Sequence, residues 1–268
     1  MHEHSLAIMA PEGSALAALM EVMAGTANLI NPFTLSVLIM GVLVVLAYAA
    51  GRSLKERPGA LQNMFEVAVD FIRDIAQGLM GAKADRYLPL FFTLFMFILG
   101  ANLIGLIPGM DSPTASISIN LAMALVVLCS YHFAGFRSSG LGYVRHFLAP
   151  RDLPLPAQIL LGPLFLVIEG LGLFLIRPLT LTLRLFGNIR GKEILLGILA
   201  NLIVGSLASG TLIQYAMGGG FFVLRFMILV LGVLVSLIQA AVFTILTIIY
   251  IGLASEEHED HGAEGHGA

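Results

Sequence analysis

The sequence has little charge and almost no cysteine. Of 268 residues, 12% are charged and 58% are hydrophobic, and the mean hydropathy is +0.93. A soluble domain carries roughly 25% charged residues, and a disordered chain is more polar still. The single cysteine, Cys129, excludes an internal disulfide, and the formal net charge of -3 offers no basic surface for nucleic acid. These absences predict an all-α polytopic membrane protein with a single membrane domain.

Motifs that bind nucleotides or metal ions are also missing. The phosphate-binding pattern GxxxxGK[ST] does not occur, and no group of histidines and cysteines has metal-ligand spacing. The tail histidines His258, His261 and His266 lie in a polar segment, which favours solvated chain over a metal site. We therefore expect no cofactor, no metal, no nucleotide and no catalysis by the chain alone.

The apolar runs predict five crossings, because a spanning helix needs about 20 mostly apolar residues. An amphipathic helix after the first span is expected to lie on the membrane surface. The N-terminal segment lacks the layout of a signal peptide. The predicted order is a lead-in (1–30), a first span (31–50), the surface helix (59–81), second and third spans (87–136), a hairpin of two long tilted helices (154–254) and an acidic tail (255–268).

The two arms of the predicted hairpin are too long to stand upright. About fifty helical residues reach about 75 Å, against a hydrocarbon core of about 30 Å. The first arm must therefore tilt, or break near Pro163 or Pro178. The small residues at 206–210 and the glycines at 218–220 predict the turn between the arms.

Basic residues predict the orientation. The loops at 52–57 and 137–151 carry arginine or lysine, and two predicted spans separate them. Short basic loops remain in the cytoplasm. We expect the N-terminus outside and the C-terminus in the cytoplasm.

Arg184 is the main polar feature of the hairpin, since its sequence neighbours are apolar or small. An arginine at the bilayer centre costs about 2.5–3.5 kcal/mol on insertion scales, and its guanidinium cannot be deprotonated. At 100° per residue, Glu193 falls on the opposite side of the helix, so the carboxylate that Arg184 needs is expected from a partner. The residues that share the Arg184 face are Arg177, Thr180, Gly187, Asn188 and Gly191.

Two further features follow from helical spacing. Gly187 and Gly191 permit close approach of another helix. On the next helix, one stripe holds Gly232, Ser236, Gln239 and Phe243. Gln239 is therefore predicted to line the same polar seam as Arg184.

These segments resemble a known family. RPLTLTLRLFGNIRGKEIL, followed by SLIQAAVFTILTIIYIGLASEEH, resembles subunit a of the F-type ATP synthase, and NLIGLIPG at 102–109 and PTASISINLAMAL at 113–125 are similar to it as well. The resemblance covers most of residues 60–258. It implies the stator against which a ring of c subunits turns, with two offset aqueous half-channels. The implied partners are the c-subunit ring, peripheral-stalk b subunits, other synthase subunits and the lipids of a bacterial inner (plasma) membrane.

The resemblance also implies residue roles. Arg184 matches the essential arginine that faces the c-ring and deprotonates its carboxylate. The implied proton-path residues are Glu193, Glu169, Asn188, Gln239 and Ser236. Two positions depart from some relatives, because Gly232 and Ser116 stand where those relatives carry titratable groups.

Alternatives remain open for the individual residues. Glu169 has a possible structural partner in Arg177, and Glu193 has one in Lys192. Arg190 and Lys192 are expected to be interfacial or water-facing rather than part of proton transfer. Arg225 is expected to reach the membrane surface with its long side chain. Asn102 and Asn120 are expected to be packing amides.

Other functions also remain open for the whole chain. A stand-alone secondary transporter or channel is the alternative function, although the charges crowd into one hairpin rather than into paired repeats. A non-conducting scaffold would have no need of Arg184.

Overall fold

The computed structural model describes residues 31–52, 58–107, 110–139, 164, 167, 170–208 and 211–256. Those residues form six α-helices, joined in places by short 3-10 or π-helical turns. The helices are α1 (Pro32–Gly51), α2 (Ala60–Met80), α3 (Ala84–Ile104), α4 (Ile117–Ser139), α5 (Arg177–Ala208) and α6 (Leu212–Glu256).

Five helical segments are long and apolar enough to cross a membrane, as the sequence predicts. One of them is the continuous stretch Ala60–Ile104, which comprises α2 and α3. The others correspond to α1, α4, α5 and α6. The all-α polytopic membrane architecture is therefore confirmed, and the predicted placement of α2 on the membrane surface stays a prediction.

Helix α1 packs on one side only. Asn31 caps it by accepting a hydrogen bond from the Phe33 amide, and a proline occupies its first turn. Leu35 and Ile39 are its buried residues, whereas most of its other side chains face outward. A helix that is apolar all round and packs on one side suits a lipid-facing position.

Helices α2 and α3 are separated by a sharp turn at Gly81. Its φ of +60° lies in the region that favours glycine, which ends α2 before the 3-10 turn Gly81–Lys83. The two helices then pack together through the rings of Phe65 and Phe92, whose centroids are 5.9 Å apart. Helix α2 therefore buries one apolar face against its neighbours, and a second apolar face points outward. The residues of the outward face are Met64, Val67, Phe71 and Leu79.

The core lies where α3, α4, α5 and α6 meet. Its interior is apolar, with small residues such as Ala101, Ala124 and Ala240 at places where helices approach closely. The larger side chains that fill it include Phe91, Ile98, Leu185, Ile189, Phe243 and Ile248.

Backbone carbonyls tie several helix ends together at one end of this bundle. Lys83 Nζ donates to the Ser255 carbonyl at 3.2 Å, and Ser138 Oγ donates to the Ala254 carbonyl at 3.0 Å. We call this the Ser255 end. The connection between α3 and α4, which contains Ser112 and the 3-10 turn Pro113–Ala115, lies at the opposite end, which we call the Ser112 end.

Helices α5 and α6 form the expected antiparallel hairpin. The connection between Ala208 and Leu212 falls at the predicted segment 206–210, whereas the glycines at 218–220 do not form part of it. Helix α6 already begins at Leu212, so the glycines at 218–220 are helical. A Cβ on Gly218 would lie 2.5 Å from Ser206 Oγ, so this glycine allows the two arms to approach closely instead of reversing the chain.

Pro178 does not break the first arm. Because proline lacks an N–H and its ring clashes with the preceding turn, the chain widens into a five-residue π-helical turn, Gly172–Ile176, directly before α5. Pro163, residues 53–57 and 140–151 of the two predicted basic loops, the segment 1–30 and the tail beyond 256 lie outside the described residues.

Candidate functional site

Arg184 lies on the outward face of α5. Its side chain is exposed, and it makes no hydrogen bond or ion pair with any residue that the structure describes. The opposite face of α5 packs into the core through Leu181, Leu185 and Ile189. The helix thus has a packed side and an open side, with its permanent cation on the open side.

The open side contains the small and polar residues that the helical spacing predicts. Thr180, Gly187, Asn188 and Gly191 are all exposed, and Arg177 is half-buried. A Cβ on Gly187 or Gly191 would meet no described atom within 4 Å. Around these two glycines no described helix of this chain occupies that face, so a helix of another chain has room to approach it; only at the start of α5 does Arg177 contact rings of α4 and α6.

Asn188 and Gln239 meet across the hairpin. Asn188 Nδ2 donates to Gln239 Oε1 at 3.0 Å, and Gln239 is 5% exposed. Asn188 lies one helical turn from Arg184. The predicted seam between α5 and α6 therefore exists, and these two amides lie within it.

Ser236 lies one turn of α6 from Gln239 and is fully buried. Its hydroxyl donates to the Gly232 carbonyl of its own helix at 2.7 Å. The hydroxyl oxygen keeps lone pairs for a second partner.

Glu193 lies away from Arg184, about 13 Å further along the helix axis toward the Ser112 end. Its Oε1 accepts a hydrogen bond from the Ser112 amide at 2.9 Å, and its Oε2 pairs with Arg190 Nη1 at 3.4 Å. The Glu193 side chain is 12% exposed. This carboxylate is therefore fixed against the α3–α4 connection and does not neutralise Arg184.

Lys192 lies against α3, and its predicted interfacial or water-facing position stays a prediction. The residue is half-buried, and its Nζ donates to the Asn102 carbonyl of α3 at 3.4 Å. Its stem passes over Gly232, where an added Cβ would lie 3.3 Å from Lys192 Cδ and 2.7 Å from Leu106 Cδ2. The position that holds a titratable group in some relatives is thus covered by Lys192 and Leu106.

Asn102 belongs to a buried polar cluster that sequence reasoning treated only as helix packing. Thr114 Oγ1 donates to Asn102 Oδ1 at 2.6 Å and lies 2.6 Å from Ser112 Oγ. Asn120 Nδ2 donates to the Thr114 carbonyl at 2.7 Å. Asn102 Nδ2 and Asn120 Oδ1 have no partner among the described residues, although both atoms are buried. Unpaired buried amide groups are costly unless water satisfies them, which favours a hydrated cluster here.

The signal for this cluster was present in the sequence. Asn102, Thr114 and Asn120 come from the two short motifs NLIGLIPG and PTASISINLAMAL, and Ser112 lies between these motifs. The contact of Ser112 with Glu193 depends on the relative height of α3 and α5, which helical spacing alone does not give.

Two further arginines make contacts that the sequence did not predict. Arg225 is half-buried, and its Nη1 donates to the Leu196 carbonyl of α5 at 3.2 Å; its predicted reach to the membrane surface stays a prediction. The Arg177 guanidinium carbon lies 5.7 Å from the Tyr131 ring centroid and 5.0 Å from that of Tyr250. Glu169, the predicted partner of Arg177, lies outside the described residues.

The described residues contain no group of three or more His, Cys, Asp or Glu side chains that could hold a metal ion. The polar groups that converge in the α5–α6 seam and behind it are amides, hydroxyls, one carboxylate and one ammonium group. Such groups donate and accept hydrogen bonds and bind water.

Comparison with known proteins identifies the family. The family model described as ATP synthase A chain matches residues 18–252. The chain is 40% identical over 220 residues to "ATP synthase subunit a 3" of Pelobacter propionicus, which covers 82% of this chain and 85% of that relative. It is 41% identical over 220 residues to "ATP synthase subunit a" of Desulfotalea psychrophila, with 82% of each chain covered. The chain therefore belongs to the ATP synthase A chain family.

Proposed function

We propose that this chain is the proton-translocating stator subunit of a rotary ATP synthase, in which Arg184 deprotonates a carboxylate on a ring of c subunits. The observation that carries the proposal is the position of Arg184. The guanidinium is on the open side of α5, beside two glycines with free space above them, and no described residue neutralises it. An anion from a neighbouring chain supplies the missing charge.

The chemistry follows from the charge on Arg184. A ring carboxylate that faces lipid is protonated, because a bare charge there is costly. Opposite Arg184 the ionised form is favoured, since an opposite charge within about 4–6 Å stabilises it. The carboxylate releases its proton into one half-channel, and another carboxylate takes up a proton from the second half-channel as the ring turns.

The described polar groups support a route for the half-channel on the Ser112 side. The route begins at the Ser112–Thr114 connection and passes Glu193 and Lys192. It then follows the seam to the Asn188–Gln239 pair, one turn from Arg184. The two unpaired amide atoms of Asn102 and Asn120 are positions for ordered water next to this route.

Arg184 also separates the two half-channels. A fixed cation between them opposes direct passage of protons along the stator, so a proton must travel on the ring. The second half-channel, with Glu169 as its proposed acid, opens toward the Ser255 end. A transmembrane potential contributes roughly 2.3 kcal/mol per charge per 100 mV and biases the direction of rotation.

The proposed setting is the inner membrane of a bacterium, with the Ser255 end of the bundle in the cytoplasm and the N-terminus outside. Arg52 and Arg137, at the ends of α1 and α4, support this orientation because short basic loops remain in the cytoplasm. The c-subunit ring is the proposed partner of the open α5 face. Peripheral-stalk b subunits and the other synthase subunits complete the proposed complex.

Arg184→Ala in the assembled complex tests this function. We expect ATP-driven proton pumping into inverted membrane vesicles to be abolished while the complex still assembles. Arg184→Lys should also fail, because an ammonium group can lose its proton and lacks the planar guanidinium. Arg52→Ala, which removes an exposed arginine at the end of α1, is the matched control and should pump normally.

Two results would count against the stator role. One is normal pumping by Arg184→Ala complexes. The other is rapid, selective proton flux through liposomes that contain this chain alone, because that result would favour a stand-alone transporter.

A further inference from the structure

We infer that Arg177 is a positioning residue, which fixes the rotation of α5 about its own axis and thereby the direction in which Arg184 points. The inference rests on the proposed function, because it concerns how Arg184 is presented to the ring. It assigns to Arg177 a role in coupling that needs neither a carboxylate partner nor contact with the ring.

The contact consists of one cation and two aromatic rings. The Arg177 guanidinium carbon lies 5.0 Å from the Tyr250 ring centroid and 5.7 Å from the Tyr131 ring centroid. A guanidinium within about 6 Å of a ring face is attracted by the ring quadrupole, and more strongly where water is excluded. Tyr131 is 5% exposed on α4, and Tyr250 is half-buried on α6. A single side chain of α5 therefore binds two other helices.

The start of α5 needs such an attachment, and we call the contact of Arg177 with Tyr131 and Tyr250 the anchor. The π-helical turn Gly172–Ile176 precedes it directly, and Pro178 cannot donate a backbone hydrogen bond. Both features loosen the helical ladder at the point where the arm begins. Thr180 and Thr182, the hydroxyl residues of this first turn, bond to carbonyls of their own segment and do not reach another helix.

The other half of α5 is held by hydrogen bonds to its neighbours. These are Asn188 with Gln239, Lys192 with the Asn102 carbonyl, Glu193 with the Ser112 amide and the Leu196 carbonyl with Arg225. All of them lie on the Ser112 side of Arg184. The rings that hold Arg177 lie on the other side, so Arg184 is placed between two sets of attachments.

The geometry converts a loss of the anchor into a displacement of Arg184. The two arginines are seven residues apart, which is about two turns, so they share a face of the helix. A rotation of about 30° moves a group at the outer radius of a helix, about 5–6 Å, by roughly 3 Å. This shift is comparable with the range of about 4–6 Å over which an opposite charge favours an ionised carboxylate.

The test uses the whole synthase in inverted vesicles, with the Cys129→Ser background for cross-linking. Arg177→Gln removes the cation, and Tyr250→Leu and Tyr131→Leu each remove one ring. Arg177→Lys and Tyr250→Phe retain a cation and a ring, respectively. Tyr48→Leu, at a 68% exposed tyrosine of α1, is the matched control.

The first readout is proton pumping per ATP hydrolysed. We expect the Arg177 contact to hold α5 in one rotational orientation. Without that contact, this orientation becomes the less populated one, and the number of protons pumped per ATP falls about threefold or more. Arg177→Lys, Tyr250→Phe and Tyr48→Leu should keep most of the ratio. The double variant Arg177→Gln with Tyr250→Leu should pump no fewer protons per ATP than the more affected of the two single variants, because both substitutions remove the same contact.

The second readout measures rotation directly. A cysteine is placed at Gly187, about 60° to one side of Arg184 around the helix, or at the exposed Leu195, about 20° to the other side, and is cross-linked to a cysteine on the ring. A rotation of α5 moves one of these positions toward the ring-facing direction and the other away from it, so in the anchor variants we expect one cross-linking yield to rise and the other to fall. A residue that only stabilises the fold would lower both yields together.

The results separate this inference from the proposed function. Parent-level pumping in Arg177→Gln and Tyr250→Leu would overturn the inference, and so would an unchanged cross-linking ratio. Failure of the anchor variants to assemble would overturn it as well, since a positioning role leaves assembly intact. If Arg184→Ala abolishes pumping while the anchor variants pump normally, only the role of Arg177 fails; if Arg184→Ala pumps normally, the proposed function fails first.

Discussion

Replacing Gly232 with alanine tests how closely α6 packs against α3 and α5 beside the proposed proton route. The added Cβ would lie 2.7 Å from Leu106 Cδ2 and 3.3 Å from Lys192 Cδ. Carbon atoms pack best at about 3.5–4.0 Å, so the Leu106 side chain must move by about 1 Å and the Lys192 stem by a few tenths of an ångström.

The expected cost comes from two opposing terms. Overpacking a core costs typically about 1–3 kcal/mol. Exchanging glycine for alanine inside a helix returns up to about 1 kcal/mol. Leu106 is half-buried, so the end of its side chain has room to turn. We therefore expect Gly232→Ala to lower the free energy of unfolding by about 1 kcal/mol, which is the lower part of the overpacking range after the helix gain.

Gly219→Ala is the matched control, because it lies in the same helix and its Cβ would meet nothing within 4 Å. Alanine favours the helix more than glycine does, and here its Cβ meets no neighbouring atom, so Gly219→Ala should be at least as stable as the parent protein. Thermal unfolding of the purified protein in detergent measures the difference. Leu106→Ala in the Gly232→Ala background should recover part of the loss, since it removes the closest atom.

The same variant has a functional readout. Moving the Lys192 stem takes its ammonium group away from the Asn102 carbonyl, so we expect slower proton pumping in Gly232→Ala complexes than in Gly219→Ala complexes. Equal melting temperatures and equal pumping in the two variants would refute the packing argument.

Two further predictions concern the α5–α6 seam and the open face. Asn188→Ala and Gln239→Ala should each slow ATP-driven pumping. A double-mutant cycle on the free energy of unfolding should give a coupling of about 1 kcal/mol, because the two amides share one hydrogen bond. Additive effects of the two substitutions would contradict the contact. Gly187→Leu should not lower the melting temperature of the isolated chain, since no described atom lies near its Cβ and leucine favours a helix more than glycine does, yet it should reduce recovery of the c-subunit ring in pull-down from mild detergent. Gly41→Leu, an open glycine on α1, should retain the ring, and equal recovery for both variants would indicate that the ring does not contact Gly187.

The sequence was most informative where a single helix determines the answer. The face of α5 that carries Arg184 follows from the helical repeat alone, and the structure leaves that face open. The lengths of the apolar runs and the polar residues between them are enough to predict the first span, the amphipathic helix and the hairpin. The sequence was less informative at 218–220, because a run of glycines occurs both where two helices pack closely and where the chain turns.

Contacts between helices were the part that spacing could not supply. The contact of Lys192 with the Asn102 carbonyl could not be predicted, because it depends on the relative height of α3 and α5, which no local pattern encodes. The same is true of Arg225 and the Leu196 carbonyl, which lie 29 residues apart in the sequence. Arg177 and its rings come from three separate helices, so no motif joins them.

The open arginine face has a consequence for biogenesis. On the proposed function, a subunit that has been inserted without its ring exposes the Arg184 guanidinium to acyl chains, at a cost of about 2.5–3.5 kcal/mol on insertion scales. A ring carboxylate docked against this face would remove that cost. The chain is therefore expected to be less stable in the membrane before assembly than after it.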